Sequence, residues 1–268
     1  MENNLVIGNS SQLSHYFPDD YTKISSRNID YSYHSKKKYD NVYITFAEQR
    51  TFIKDNPEIF FDVNVKYTIE VINFFQQLSN RIVIYGTSEL WNNMEGPINI
   101  NDNHDYNYSP YIKSKEDLVN YINEHRDYKQ NIIIIHPFNF NTPYRKGDYL
   151  FGKIFNSIIH KKKIEIGDTN FNRDVTLPKY VIERSIKAKK DEIVGSGNLI
   201  NINKFIRDLY NLFDMKYEDY VTENTNHNFK IQKEFYSENK TKYTYDDILK
   251  ETIKDIKKWK QIMNIVEL

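Results

Sequence analysis

The sequence predicts an α/β fold: a doubly wound parallel sheet with helices on both faces, followed by a smaller, mostly helical C-terminal lobe. Three observations predict it. Short runs such as Arg81 to Tyr85 (RIVIY) and Asn131 to Ile135 (NIIII) are β-branched and apolar nearly throughout, as strands buried on both faces must be. Helical periodicity separates them, with apolar residues at Val65, Ile69, Val71, Ile72 and Phe75. After Pro137 the alternation lapses and helical stretches prevail.

The elements follow in order. Leu5 to Ile7 is an apolar run stopped by Gly8, a buried strand entering a turn. Gln12 to Phe17 reads as a short helix ended by Pro18 and Asp19-Asp20. Tyr21 to Ser25 is the second strand. His34 to Lys38 is polar and basic and reads as an exposed connection, and Val42 to Phe46 is the third strand. Asp62 to Leu78 is the amphipathic helix before the RIVIY strand. A long polar stretch, Asn92 to Ser109, contains Gly96 and Pro97. Tyr111 to Tyr128 is helical in pattern and precedes the NIIII strand. Beyond it, Phe151 to His160 and Tyr180 to Ala188 read as helices, with Lys163 to Ile166 as a short strand between them. Asn203 to Phe213 and Tyr245 to Ile265 are helices of a terminal lobe. We place a dinucleotide-binding domain at residues 1–165 and a substrate lobe at 166–268, with the chain crossing between them more than once.

Composition narrows the function. The 268 residues carry 37 Lys and Arg against 37 Asp and Glu, so zero net charge argues against a general grip on nucleic acid or an anionic membrane. The chain has no cysteine, which excludes disulfides, thiolate metal sites and a cysteine nucleophile. Mean hydropathy is -0.72, yet 22 Tyr and 16 Phe supply the area for a core. No run approaches the roughly 20 apolar residues of a membrane span, and the first residues lack the pattern of a secretory signal. A cytoplasmic location is the expectation.

Three constellations carry chemistry. Gly8-Asn9-Ser10-Ser11-Gln12-Leu13-Ser14 follows a strand, where dinucleotide folds place a glycine-rich turn. Only Gly8 is in place; Ser11 and Ser14 stand where the other glycines would be, so an ordinary strand-to-helix turn with serine caps is the plainer reading of these residues alone. Tyr111 and Lys115 lie four residues apart, on one helix face. A cation beside a phenol favours phenolate, so such a tyrosine can exchange a proton with a sugar hydroxyl near neutral pH. The same spacing arises by chance in a chain this rich in Tyr and Lys. Thr87-Ser88-Glu89 follows the RIVIY strand, at the strand end where doubly wound sheets hold ligands; a helix cap is the plainer reading.

The order of these pieces carries more than each alone. YGTSELWNN followed by SPYIKSKEDLVNYI resembles the extended short-chain dehydrogenase/reductase family, in its nucleotide-sugar branch. VNVKYTIEVINFF resembles the helix before that family's catalytic strand. HPFNFNTPYR, IEIGDTNFNRDVT and VGSGNLININKFI resemble later family segments in register. The likeness covers roughly residues 4 to 213 and implies a Rossmann-type fold.

By this resemblance Tyr111 is the catalytic acid/base and Lys115 its partner and a ribose ligand. Thr87 matches the hydroxyl that meets the sugar O4 region. Glu89 and Ser88 stand where dehydratases of the family carry acidic residues. Asn139 and Arg173 match contacts to the substrate diphosphate, with Arg145 as a second candidate. Gly8, Asn9, Ser10, Ser11, Gln12 and Leu13 would face the cofactor pyrophosphate. Phe46 and Ala47 would pass beside the adenosine and ribose, and Pro137 would also line the cofactor. Ser26-Arg27 follows the second strand, where an arginine accommodates a 2'-phosphate and an acidic residue binds the ribose 2'-OH. This favours NADP(H); Asp30 keeps NAD(H) open. No metal is expected.

Two departures stand out. The glycine loop is degenerate, and only residues 26 to 41 separate the second and third strands. SSQLS in the first turn is similar to the GQLG of 4-keto sugar reductases. The leading expectation is an NADPH-dependent reductase of a nucleotide-linked 4-keto-(di)deoxy sugar, serving surface polysaccharide synthesis. A 4,6-dehydratase or epimerase with retained NAD and Glu89 as base is the alternative, and a non-catalytic binding homologue a third. The resemblance also implies a homodimer built from helices near residues 62 to 78 and 110 to 128.

Overall fold

The computed structural model describes all residues except 1, 54, 127–130, 141, 143, 145–148, 225–232 and 267–268. In chain order the first elements are β1 (Asn4–Ile7), β2 (Thr22–Ile24), α1 (Tyr31–His34), β3 (Tyr39–Ile44), α2 (Glu58–Phe61), α3 (Thr68–Gln76), β4 (Ser79–Tyr85), β5 (Gly96–Ile98) and α4 (Pro110–Glu124). Then come β6 (Ile132–Pro137), β7 (Asn139–Phe140), α5 (Leu150–His160), β8 (Ile164–Gly167), β9 (Asn172–Thr176), α6 (Pro178–Lys187), β10 (Glu192–Val194) and β11 (Leu199–Asn201). The last are α7 (Ile202–Asn211), α8 (Tyr217–Tyr220), β12 (Val221–Asn224), β13 (Phe235–Ser237) and α9 (Tyr245–Val266).

The chain forms two compact units. One comprises residues 1–93, 100–137 and 179–194, and the other 94–99, 138–178 and 195–268. The chain leaves the first unit briefly at residues 94–99 and again after Pro137. The chain returns at 179 because β10 pairs in parallel with β6 and completes the first unit's sheet.

That sheet has six strands in the order β10-β6-β4-β3-β1-β2, and every pairing is parallel. Its central strands are apolar because helices cover both faces: Leu5, Val6, Ile7, Val42, Ile82 and Ile135 are fully buried. Strand order reverses beside β1, the point at which such sheets bind ligands. A Rossmann sheet carries two strands on the far side of β1; here β2 stands alone as the edge. The short connection of residues 25 to 38, which also holds α1, has no room for the missing strand.

The expected first helix is only a 3-10 turn, Leu13–Tyr16. Rings pack nearby: Phe17 lies 4.7 Å and Tyr21 5.9 Å from Tyr43 of β3, centroid to centroid. In the stretch 34 to 38, read as an exposed connection, His34 instead closes α1, is buried and is bonded to the Tyr39 hydroxyl at 2.6 Å. Arg81 donates to the Tyr43 hydroxyl at 2.8 Å and to the carbonyls of Ile186 and Ala188 at 3.0 and 2.7 Å. It thereby satisfies carbonyls left open at the C-terminus of α6.

The second unit is mostly helical and also carries short strands. It combines α5, α7, α8 and α9 with three small sheets: β11-β9-β7, β12-β8 and β13-β5. The Tyr210 hydroxyl donates to Ser157 Oγ at 2.6 Å and fastens α7 to α5. Among the described residues no helix is long and apolar enough to cross a membrane.

Candidate active site

Because the six strands of the first unit run parallel, their carboxyl ends share one edge. The loop from Gly8, the pair Ser26-Arg27, Phe46-Ala47 and Thr87 follow those ends, and Pro137 is the last residue of β6. Topology therefore gathers the sequence-predicted cofactor residues at one side of the sheet.

Gly8 makes the turn with φ of +109°, a conformation that favours glycine. A Cβ there would stand 2.8 Å from Thr45 Oγ1 and 2.9 Å from Phe46 N. Gly8 N and Asn9 N both donate to Ile24 O at 2.9 Å, tying the loop to β2. Ser11 and Ser14 brace the loop. Ser11 Oγ donates to Thr45 Oγ1 at 2.7 Å, and Ser14 Oγ reaches Ser11 O at 2.7 Å and Asn9 O at 2.8 Å. Among the described residues the N–H groups of Ser10, Gln12 and Leu13 carry no hydrogen bond, and Gln12 Oε1 is buried without a partner. Orphaned donors around a glycine turn fit a dinucleotide diphosphate. What is absent is an α-helix N-terminus to reinforce them.

Arg27 is exposed beyond β2. Asp30 is engaged elsewhere, because its carboxylate caps α1 by accepting from Tyr33 N at 2.9 Å. The Tyr67 hydroxyl donates to Ser26 O, and its ring lies 5.3 Å from Phe46.

Tyr111 opens α4 behind an N-cap in which Ser109 Oγ accepts from Ile112 N at 3.1 Å, with Pro110 at the first position. Its ring meets Phe60 edge-on at 6.3 Å. Lys115, one turn later, is 4% exposed and donates from Nζ to Tyr85 O at 2.7 Å, at the end of β4. Burial pushes its pKa down to about 8. One of its three N–H groups is thus used and two remain.

Thr87 caps the turn Ser88–Trp91, its Oγ1 accepting from Glu89 N at 3.2 Å. Its hydroxyl proton stays available to an outside acceptor. Ser88 is buried. Glu89 is half-buried, and its Oε2 accepts from Asn92 Nδ2 at 3.0 Å. Behind this turn lies His136, buried, with Nδ1 3.4 Å from Thr87 O and its pKa driven down to about 3 by desolvation. Only glycine fits opposite it: a Cβ on Gly86 would be 2.4 Å from that nitrogen.

Asn64 escaped sequence reasoning. It sits in a π-helical turn, Asp62–Tyr67, where a regular helix was expected, and is 1% exposed. It accepts from Glu48 N at 2.7 Å, donates to Glu48 O at 3.0 Å and donates to Ser114 Oγ at 2.9 Å. Ser114 in turn donates to Tyr111 O at 2.7 Å. The chain after β3 is thereby joined to the turn of α4 that separates Tyr111 from Lys115. The available signal was a polar residue continuing the buried stripe of Thr68, Val71 and Phe75.

In the second unit, Asn139 of β7 is half-buried and pairs with Val175 of β9. Arg173 of β9 is 7% exposed and donates from Nη1 to Lys233 O at 3.0 Å. Arg145 lies outside the described residues. Among the described residues no cluster could hold a metal ion.

The sequence profile of the GDP-mannose 4,6 dehydratase family matches residues 49–267. The chain belongs to this family. The match reaches past residue 213, so the terminal helix α9 is part of the family's domain. Its members are NAD(P)-dependent enzymes of nucleotide sugars within the extended short-chain dehydrogenases/reductases. No curated protein sequence matches significantly. Solved structures with the same fold include RMD from Pseudomonas aeruginosa complexed with NADPH, with a TM-score of 0.78 at 14% identity over 96% of this chain and 99% of that one. UDP-N-acetylglucosamine 4-epimerase from Methanobrevibacter ruminantium, in complex with UDP-N-acetylmuramic acid, gives 0.79 at 14% identity over 96% and 99%. The dTDP-glucose 4,6-dehydratase of Bacillus anthracis, in complex with NAD, gives 0.76 at 15% identity over 96% and 97%.

Proposed function

We propose that the chain is an NADPH-dependent reductase of a nucleotide-linked 4-keto-(di)deoxy sugar. The observation that carries this reading is the loop after β1, where a 3-10 turn replaces the α-helix whose N-terminus would grip the pyrophosphate. An enzyme that exchanges its cofactor at every turnover tolerates a lighter grip than one that retains it. Arg27, exposed beyond β2, supplies a cation for a 2'-phosphate.

When bound, the reduced nicotinamide supplies hydride to C4 of the sugar. Tyr111 gives its phenolic proton to the oxygen that becomes the new hydroxyl. The Thr87 hydroxyl donates to the same oxygen and orients it. Lys115 favours the phenolate left behind, and its two remaining N–H groups suit ribose hydroxyls. Arg173 and Asn139 hold the diphosphate, whose oxygens match the planar guanidinium fork.

A second reading rests on Glu89, held at the end of β4 by its bond from Asn92. In a dehydratase or epimerase with retained NAD, this carboxylate would take the C5 proton. Releasing and identifying the dinucleotide of the purified protein separates the two. The reductase arrives empty and binds NADPH more tightly than NADH; tightly bound NAD would transfer the assignment to the second reading. Tyr111→Phe is expected to lower turnover at least about 100-fold with cofactor affinity nearly intact. Unchanged turnover would remove Tyr111 from the chemistry.

A further inference from the structure

β9 carries two adjacent charged residues that are both buried: Arg173 at 7% and Asp174 at 0% exposure. The Arg173 guanidinium lies 5.6 Å from the Phe171 ring and 5.1 Å from the Phe235 ring, besides its bond to Lys233 O. Two of these three contacts come from one short segment, 233–235, which leads into β13. That strand has three residues and pairs with the three of β5. So short a strand needs another anchor to hold its register.

Asp174 provides it. Oδ2 accepts from Ser237 N at 3.0 Å and Gly197 N at 2.9 Å, while Oδ1 accepts from Ser196 N at 2.7 Å and Ser196 Oγ at 2.6 Å. Four donors from two segments compensate the desolvated carboxylate. Gly195 makes the approach possible, since a Cβ there would lie 2.4 Å from Asp174 Oδ2 and 2.7 Å from Ser237 Cβ. On a strand, neighbouring side chains leave opposite faces. Arg173 and Asp174 nevertheless engage the same segment, the one through Phe235 and Lys233 O and the other through Ser237 N.

We propose that Asp174 is the positioning residue of the diphosphate clamp, holding β13 so that Phe235 and Lys233 O preset the Arg173 fork before a nucleotide sugar arrives. Presetting a flexible arginine removes an ordering cost that binding would otherwise carry. The proposal rests on the assignment of Arg173 to the diphosphate.

The test is calorimetric titration of UDP, GDP, CDP and dTDP into the full chain, followed by variants with the tightest of the four. Arg173→Ala is expected to weaken it at least about 30-fold, as loss of a bidentate charge contact does. Asp174→Asn, which turns an NH2 toward donors, is expected to weaken it about tenfold with NADPH affinity within about twofold of wild type. Phe235→Leu removes one ring, leaves the carboxylate network intact and should also cost about tenfold. Binding of the nucleoside alone, followed by ligand-observed NMR, should not change, whereas general loosening of the unit would weaken it too and overturn the proposal. If wild type binds none of the four, or Arg173→Ala binds as wild type does, the clamp assignment fails and the proposal with it. If Arg173→Ala loses binding while Asp174→Asn and Phe235→Leu keep it, the clamp stands and Asp174 has no part in it. Should Asp174→Asn not fold, Phe235→Leu decides: a tenfold loss supports the proposal and wild-type affinity overturns it.

Discussion

Lys115→Met should make the protein without cofactor more stable. The lysine is 4% exposed, and burial lowers its pKa from an ordinary 10.5 to about 8. At neutral pH it is charged in both states, and the difference of roughly 2.5 units corresponds to about 3 kcal/mol against folding. Methionine fills a similar space without the charge. Its cost is the lost hydrogen bond to Tyr85 O, about 1.5 kcal/mol. The expected net gain at pH 7 is about 1–2 kcal/mol. Between pH 8 and 10.5 the unfolded chain holds a proton that the folded chain has released, so wild-type stability rises with pH across that window. At pH 9.5 the penalty has fallen by about 2 kcal/mol and the advantage of methionine is gone. Urea unfolding of both proteins at pH 7 and 9.5, compared by midpoint at equal m, measures this. The other titratable groups are common to both proteins and cancel. Destabilisation by methionine at pH 7, or a difference that ignores pH, would refute a buried cation retained at the expense of stability.

Other outcomes are equally specific. Arg27→Ala should weaken NADPH far more than NADH in equilibrium titration; equal losses would show that Arg27 does not read a 2'-phosphate. Gly8→Ala should cost about 2 kcal/mol or more in urea unfolding, because φ is +109° and the Phe46 backbone nitrogen cannot give way; an unchanged midpoint would contradict the turn geometry. Ser237→Ala should stay within about 1 kcal/mol of wild type, since its hydroxyl is buried without a partner among the described residues. A larger loss would reveal a hydrogen bond.

The central sheet was legible because burial on both faces leaves the sequence little choice. RIVIY and NIIII become β4 and β6, fully apolar where they cross the core. Tyr111 and Lys115 were legible by spacing alone, and α4 places them one turn apart. Gln12 to Phe17 misled because serine caps before spaced apolar residues look the same for an α-helix and a 3-10 turn. The π-turn at Asn64 depends on partners at Glu48 and Ser114, 16 and 50 residues away. The division after Pro137 follows from the return of β10 to β6, and the second unit's sheets from pairings such as β5 with β13. Strands of three residues show no readable period, and their partners lie too far along the chain for local pattern to reveal them.

Losing the strand outside β2 has a consequence for solubility. An exposed sheet edge offers unpaired N–H and C=O groups to any other extended chain, and long flat edges seed aggregates. Both margins of this sheet, Thr22–Ile24 and Glu192–Val194, are three residues long. Each carries a charged residue: Lys23, whose ammonium is fastened to Phe17 O at 3.1 Å, and Glu192, paired with Arg184 at 2.7 Å. A second chain docking on either side would gain few hydrogen bonds and would have to displace a bonded charge. The shortened sheet is thus closed to edge-on growth by brevity and charge, and trimming the fold has not left it adhesive.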